Sequence, residues 1–251
     1  MADLPGHHPG PGRLKVYLGY AAGVGKTYQM LEEAQQQRRE GLDVVIGYLE
    51  PHGRKDTRDK AAGLEVLPRH RIEYRGSTFE ELDTEAILRR KPKTCLVDEF
   101  AHTNVPGSKR AKRWEDVQVL LEAGIEVWTT VNVQHLESLN DQVLGLTGVR
   151  VRETIPDWLI NRADEVVMVD VTPEALINRL KRGAVYPLEK ARQAVENFFK
   201  ESTLVALREL TMRQTALEVE ARETEMDQSQ APGSPERAVR KERLLILVTA
   251  D

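Results

Sequence analysis

With 251 residues, 40% of them hydrophobic, and a formal net charge of −4, the chain holds enough apolar material for one large domain or a domain with an appendage. So mild a charge gives no global reason to expect nucleic acid, and the single cysteine, Cys95, excludes a disulfide framework and a multi-cysteine zinc site. No apolar run reaches the roughly 20 residues that span a bilayer, and the polar start does not read as a signal peptide, so the expectation is a soluble, cytoplasmic chain.

In chain order, residues 1–12 (MADLPGHHPGPG) read as a disordered leader, with His7 and His8 part of it. From Arg13 to Asp170, short apolar runs alternate with helical patterns. Segments 14–18, 44–49, 94–97, 125–131 and 166–169 read as buried strands, with 72–74 a further short one. Segments 27–40, 79–90, 114–123 and 133–144 read as helices. The alternation predicts an α/β fold: a mostly parallel sheet with helices on its faces. Cys95 lies in one of the apolar runs and reads as a buried structural thiol.

The pattern changes after Thr172. Thr172 and Pro173 are the N-cap and first position of a helix. Segments 187–200 and 202–223 continue the helical pattern, and Leu204, Leu207, Leu210, Ala216 and Leu217 form a stripe suited to core packing or to a partner helix. Residues 13–171 are thus read as a nucleotide core and 172–225 as its helical extension. A linker at 226–242 and one more strand within 243–251 follow, the latter expected to open a further domain of a longer protein.

Lys15-Val-Tyr-Leu-Gly19-Tyr-Ala-Ala22-Gly23-Val24-Gly25-Lys26-Thr27 joins the first strand to the first helix. It reads as a phosphate-binding loop of the Walker A kind. Gly23 and Gly25 allow a tight turn that aims backbone N–H groups at phosphate oxygens. Lys26 reaches the β- and γ-phosphates and Thr27 offers its hydroxyl to magnesium. Gly19, Ala22, Val24 and Tyr28 complete the candidate nucleotide-binding set. The strict pattern wants glycine where Tyr20 stands; the first glycine, Gly19, is one residue early.

Strand 94–97 ends in Asp98-Glu99. Asp98 is the candidate magnesium residue with Thr27, and Glu99 the candidate catalytic base, with Lys26 as its catalytic partner. The next strand ends in Thr129-Thr130-Val131-Asn132-Val133-Gln134-His135. Asn132 and Gln134 are read either as γ-phosphate sensors or as helix caps. Arg54, after the second strand, and Lys109, Arg110 and Arg113, in the basic loop after the acidic strand, are further candidates for charge at the transition state. That loop has no interleaved aromatics, so nucleic acid is not expected.

An Asp followed directly by Glu resembles the RecA-like division of ATPases. That resemblance implies that strand 125–131 lies between 14–18 and 94–97. A closer resemblance rests on long segments: KVYLGYAAGVGKTYQMLEEA, VIGYLEPHGRKDT, LEVLPRHRIEYRG, LVDEFAHTNVPGSKRAKRWEDV, LLEAGIEVWTTVNVQHLESLNDQV, GVRVRETIPD and FFKESTLVALREL. They are similar to the N-terminal cytoplasmic domain of the KdpD family of potassium-responsive sensor histidine kinases.

The resemblance implies ATP and Mg2+ as ligands and a regulatory role in a two-component system for potassium or osmotic stress, tuning the balance of kinase and phosphatase. It implies that a universal-stress-protein-like domain, membrane helices and a histidine kinase module are the partners within the longer chain, with 243–251 as the first strand of the stress-protein-like domain. A response regulator or potassium-pump subunits are partners beyond it. The phosphoaccepting histidine lies outside this chain, so enzyme activity here is left open. One alternative is an ATPase or phosphotransferase using Glu99 on a protein Ser/Thr or a small molecule. A second is a docking module built on the helical tail. A nucleoside kinase of the thymidine-kinase type would need a zinc ribbon that one cysteine cannot build.

Overall fold

The computed structural model describes residues 10–185, 199–229 and 245–248. Most of the leader expected at 1–12, of the helical pattern at 187–200 and of the linker expected at 226–242 lies outside the described residues; where they are described, the Gly12 N–H donates to the Leu121 carbonyl at 2.6 Å, 199–200 are not helical, and 226–229 continue the last helix instead of a linker.

Among the described residues, seven strands form one parallel sheet in the order β3-β2-β6-β7-β1-β8-β9. They are β1 (Leu14–Gly19), β2 (Val44–Tyr48), β3 (Glu65–Val66), β6 (Thr94–Val97), β7 (Glu126–Asn132), β8 (Glu165–Asp170) and β9 (Leu245–Val248). Every residue of β1, β2 and β6 is buried. That is why these strands read as continuous apolar runs rather than alternating ones: helices cover both faces. β7 lies between β6 and β1, as the RecA-like resemblance implied. β9 pairs with β8 at the edge of the same sheet.

The helices are α1 (Lys26–Arg39), α2 (Lys55–Ala61), α3 (Thr84–Arg90), α4 (Arg113–Glu122), α5 (Asn140–Thr147), α6 (Trp158–Asn161), α7 (Pro173–Lys181) and α8 (Glu201–Ser229). Thr172 caps α7 as expected, its hydroxyl accepting from the Ala175 N–H at 3.2 Å. Cys95 is fully buried and free, and burial pushes its thiol up to about 12.

Two helical expectations are corrected. Only Thr84–Arg90 of segment 79–90 is helical; Phe79 to Glu81 belong to β5 (Ser77–Glu81). That strand pairs antiparallel with β4 (His70–Tyr74), so the short strand expected at 72–74 belongs to a separate hairpin. Arg75 and Gly76 between them both have positive φ, as a type I′ hairpin turn requires. Asp83 accepts from the Ala86 N–H at 2.8 Å and starts the helix there.

Segment 133–144 is also not one helix. Val133–His135 and Glu137–Leu139 are 3-10 turns, and α5 begins at Asn140. Ile155 docks beside Leu136 instead, with its N–H on the His135 carbonyl at 2.8 Å and its own carbonyl taking the Glu137 N–H at 3.1 Å. Those bonds replace the first turn of the expected helix.

The long helix α8 packs on α5, α6, α7, β8 and β1. Leu204, Leu207 and Leu210 are buried against the core as expected, but Ala216 and Leu217 are exposed. The buried stripe runs through Thr211 and Thr215 instead. Each hydroxyl donates to the carbonyl four residues earlier at 2.8 Å, which satisfies it inside the core. Arg208 of the same helix holds the fully buried Asp170 at the end of β8.

Candidate functional site

The carboxyl ends of β1, β6 and β7 meet at one cavity, where ligands gather in open parallel sheets. β1 leads into the glycine-rich turn. Gly23 and Gly25 take φ of 91° and 112°, a region closed to most side chains. Gly25 precedes α1 without any side-chain cap, so the first N–H groups of the helix point outward for an anion.

Tyr20 fits because it points away from this turn. Its ring is fully buried and its hydroxyl donates to the Val171 carbonyl at 3.0 Å, tying the turn to the end of β8. Gly19 must therefore do the close packing: a Cβ there would lie 2.6 Å from Val24 Cγ2. Tyr20→Gly restores the strict loop pattern yet is expected to destabilise the protein by roughly 3–5 kcal/mol, the range for deleting a buried aromatic ring. Tyr20→Phe should lose only about 1 kcal/mol. Urea unfolding of the three chains reads both values, and a Tyr20→Gly chain as stable as wild type would refute this role for the ring.

Lys26 is buried and its ammonium donates to the Ala21 carbonyl at 3.2 Å and to Asn132 Oδ1. Burial lowers its pKa to about 8, partly opposed by the charge of Asp98. Asp98 is also buried; Thr27 donates to its two oxygens at 3.2 and 3.3 Å and Thr130 donates to Oδ1. Burial raises the Asp98 pKa despite these bonds. A buried carboxylate short of positive charge, with a threonine hydroxyl beside it, suits a divalent cation of the magnesium type.

Glu99 is held between His52 and Arg113. His52 Nε2 lies 3.0 Å from one oxygen and an Arg113 nitrogen 3.6 Å from the other. Burial alone would raise its pKa, but the hydrogen bond and charge of His52 and the charge of Arg113 outweigh it, and the net shift is downward. The same contact raises the His52 pKa. Both residues have left-handed backbones, with φ of 47° and 58°, a conformation rarely taken without a surrounding structure that imposes it.

Arg113 at the start of α4 is fully buried. It donates to the Asp98 carbonyl at 3.2 Å and to Glu81 at 3.0 Å, and stacks over the Tyr48 ring at 3.6 Å. Glu81 also takes His102 at 3.0 Å and the Val105 N–H at 2.9 Å.

The structure thus brings Ala22, Gly23, Gly25, Lys26, Thr27, Arg54, Asp98, Glu99 and Asn132 to one cavity. Arg113 reaches it only through Glu99 and the Asp98 carbonyl. Val24 and Tyr28 line the neighbouring cavity, and Gly19 packs beneath the turn. Other candidates lie elsewhere. Lys109 pairs with Glu85 at 2.8 Å and Arg110 with Asp116 at 2.9 Å, against a separate surface beside β5 and α3. The Gln134 side-chain oxygen is buried and unbonded, and Asn132 precedes a 3-10 turn without capping it.

Sequence reasoning reached the segments that hold His52, Thr130 and His135 but did not single these three out as lining residues. The loop Glu50-Pro-His-Gly-Arg54 and the strand end Thr129-Thr130 were the available signals. His135 is positioned by a bond to the Glu153 carbonyl at 2.7 Å, which joins residues 18 apart and leaves no sequence trace. Among the described residues no group of three or more His, Cys, Asp or Glu is arranged to hold a metal by itself. None of the described helices is long and apolar enough to cross a membrane.

A parallel sheet with a glycine-rich turn after its first strand, and acids at the end of the adjacent-but-one strand, places the chain in the P-loop NTPase-like α/β class. Within that class, the family model described as "KdpD: Osmosensitive K+ channel His kinase sensor domain" matches residues 10–219, and the chain belongs to this family. It is 56% identical over 209 residues to a putative sensor protein KdpD of Synechocystis, covering 83% of this chain and 56% of the relative. Against the sensor protein KdpD of Escherichia coli K12 it is 56% identical over 208 residues, covering 83% and 23%. For that of Mycobacterium tuberculosis the values are 53% over 201 residues, 80% and 23%. The chain therefore spans between 23% and 56% of these relatives' lengths.

Proposed function

We propose that this chain is an ATP-binding regulatory domain of a KdpD-type sensor kinase, acting at a cytoplasmic membrane face as part of a two-component response to potassium or osmotic stress. The observation that carries the nucleotide reading is the convergence of Lys26, Thr27, Asp98 and Asn132, from three strand ends, on one cavity beside an uncapped helix N-terminus. In this reading the first turn of α1 and Lys26 bind the β- and γ-phosphates. Asn132 holds the Lys26 amine in place. Thr27 and Asp98 would hold Mg2+, which when bound draws charge off the phosphate oxygens. Binding of ATP orders the turn and the Asp98–Glu99 strand end, and the kinase module would respond to that state.

Calorimetric titration tests it. The wild type is expected to bind ATP more tightly with Mg2+ than with EDTA, and Asp98→Asn to lose that difference. A wild-type chain that binds no ATP under either condition rejects the proposal.

A second reading, transfer or hydrolysis of the γ-phosphoryl group, has its own support in Glu99. Its carboxylate lines the cavity and is kept ionised by His52 and Arg113. It would accept a proton from the attacking water or hydroxyl. If Glu99→Gln binds ATP like wild type but stops phosphate release, catalysis takes place here; equal turnover in both leaves a binding domain.

A further inference from the structure

The turn at Gly23–Gly25 separates two cavities of different character. The one containing Lys26, Asp98 and Glu99 is about 140 Å3 and mostly polar-lined. It has room for a phosphoryl group and its waters but falls well short of the roughly 300–1,000 Å3 usual for small-molecule sites. The second lies against the same turn and measures about 660 Å3. The two share Gly23, Gly25, Thr27 and Arg54 as lining residues, so one extended ligand can cross from one to the other.

We propose that the second cavity receives the nucleoside of the nucleotide whose phosphates lie at Lys26. This deepens the ATP reading and rests on it. Size sorts the two ends of the ligand: the small cavity cannot hold a base and ribose, and the large one can. Chemistry agrees. Val24, Val169 and Val185 supply apolar walls for a base. Tyr28 follows Thr27 on α1, and its ring is 41% exposed within this cavity, with the Lys60 amine 4.8 Å from its centroid. An aromatic ring held in place beside the phosphate turn is a stacking surface for a base. The exposed carboxylates of Asp56 and Asp59 on α2 accept hydrogen bonds, which suits ribose hydroxyls.

The test compares ATP with inorganic tripolyphosphate, each with Mg2+, by calorimetry. Tripolyphosphate carries the anionic end alone. The chains are wild type, Tyr28→Ala, which removes the stacking ring, and Asp59→Trp, which fills the cavity mouth from an exposed position. The wild type is expected to prefer ATP. Both variants should weaken ATP by roughly tenfold and leave tripolyphosphate unchanged. Equal affinity of wild type for the two ligands overturns the proposal. So does an unchanged ATP affinity in both variants, or a parallel loss of tripolyphosphate. In each of those results tripolyphosphate still binds the wild type, so the phosphate site survives the failure of the nucleoside site. A wild type that binds neither ligand removes both.

Discussion

Saturating ATP and Mg2+ should raise the unfolding temperature of the wild type by several degrees and that of Lys26→Ala by much less. At a ligand concentration of 100 times Kd, binding to the folded state alone adds about 2.7 kcal/mol. For a chain of this length each kcal/mol moves the midpoint by about 2–4 °C, so the shift is roughly 5–10 °C. Removing Lys26 deletes a hydrogen bond between charged groups worth about 1.5–3 kcal/mol, and affinity falls by roughly 10- to 100-fold. At the same ATP concentration the shift should shrink to about half or less.

The unliganded variant is the control, and its sign can be worked out. Folding lowers the Lys26 pKa from 10.5 to about 8 because the amine is desolvated. Its charged form therefore opposes folding at neutral pH, and the penalty fades as pH rises through 8 toward 10.5. Alanine removes that penalty but strips Asn132 and the Ala21 carbonyl of their donor. The two effects oppose each other, so the apo midpoints should lie close together. Differential scanning fluorimetry reads all four midpoints; equal ATP-induced shifts in the two chains would count against a phosphate at Lys26.

The central sheet and the glycine-rich turn are legible because both are local. Five buried strands announce themselves as apolar runs, and Gly-Val-Gly-Lys-Thr carries its geometry in five consecutive residues. The β4–β5 hairpin was not legible. Glu80 and Glu81 look helical in isolation, and only pairing with Arg71 and His70 makes them a strand. The basic loop shows the same limit. Its four cations look alike in sequence, but each meets a different carboxylate or hydroxyl. Lys109 finds Glu85, Arg110 finds Asp116, Lys112 finds Thr103, and only Arg113 turns inward to Glu81 and Glu99. Burial of a charge is decided by tertiary contacts, and one sequence does not display them. Thr211 and Thr215 illustrate the converse: polar residues lie on the buried stripe because the helix backbone itself supplies their acceptors.

Arg113→Met should damage folding severely. Methionine occupies a comparable volume, so the loss is electrostatic rather than steric. Arg113 is fully buried, and Glu81, only 4% exposed, depends on it and on His102. Breaking such a pair by removing one partner typically destabilises by about 3–5 kcal/mol, because the remaining charge stays buried. That predicts a midpoint lower by roughly 6–20 °C.

Two controls separate this account from simple misfit. Adding Glu81→Gln should restore part of the stability, with a coupling of about 0.5–3 kcal/mol in the double-mutant cycle. Acid should narrow the gap between Arg113→Met and wild type. Burial raises the Glu81 pKa, but the His102 hydrogen bond, the Val105 N–H, and the charges of His102 and Arg113 depress it below its ordinary 4.5 overall. A depressed carboxylate stabilises the fold above its unfolded pKa and loses that contribution as pH falls through the folded value. Without Arg113 there is less to lose, and protonation of Glu81 also removes the orphaned charge. The site should feel the change too, since Arg113 anchors the Asp98 carbonyl and flanks Glu99. A deficit independent of pH and untouched by Glu81→Gln would assign the damage to packing over Tyr48 instead.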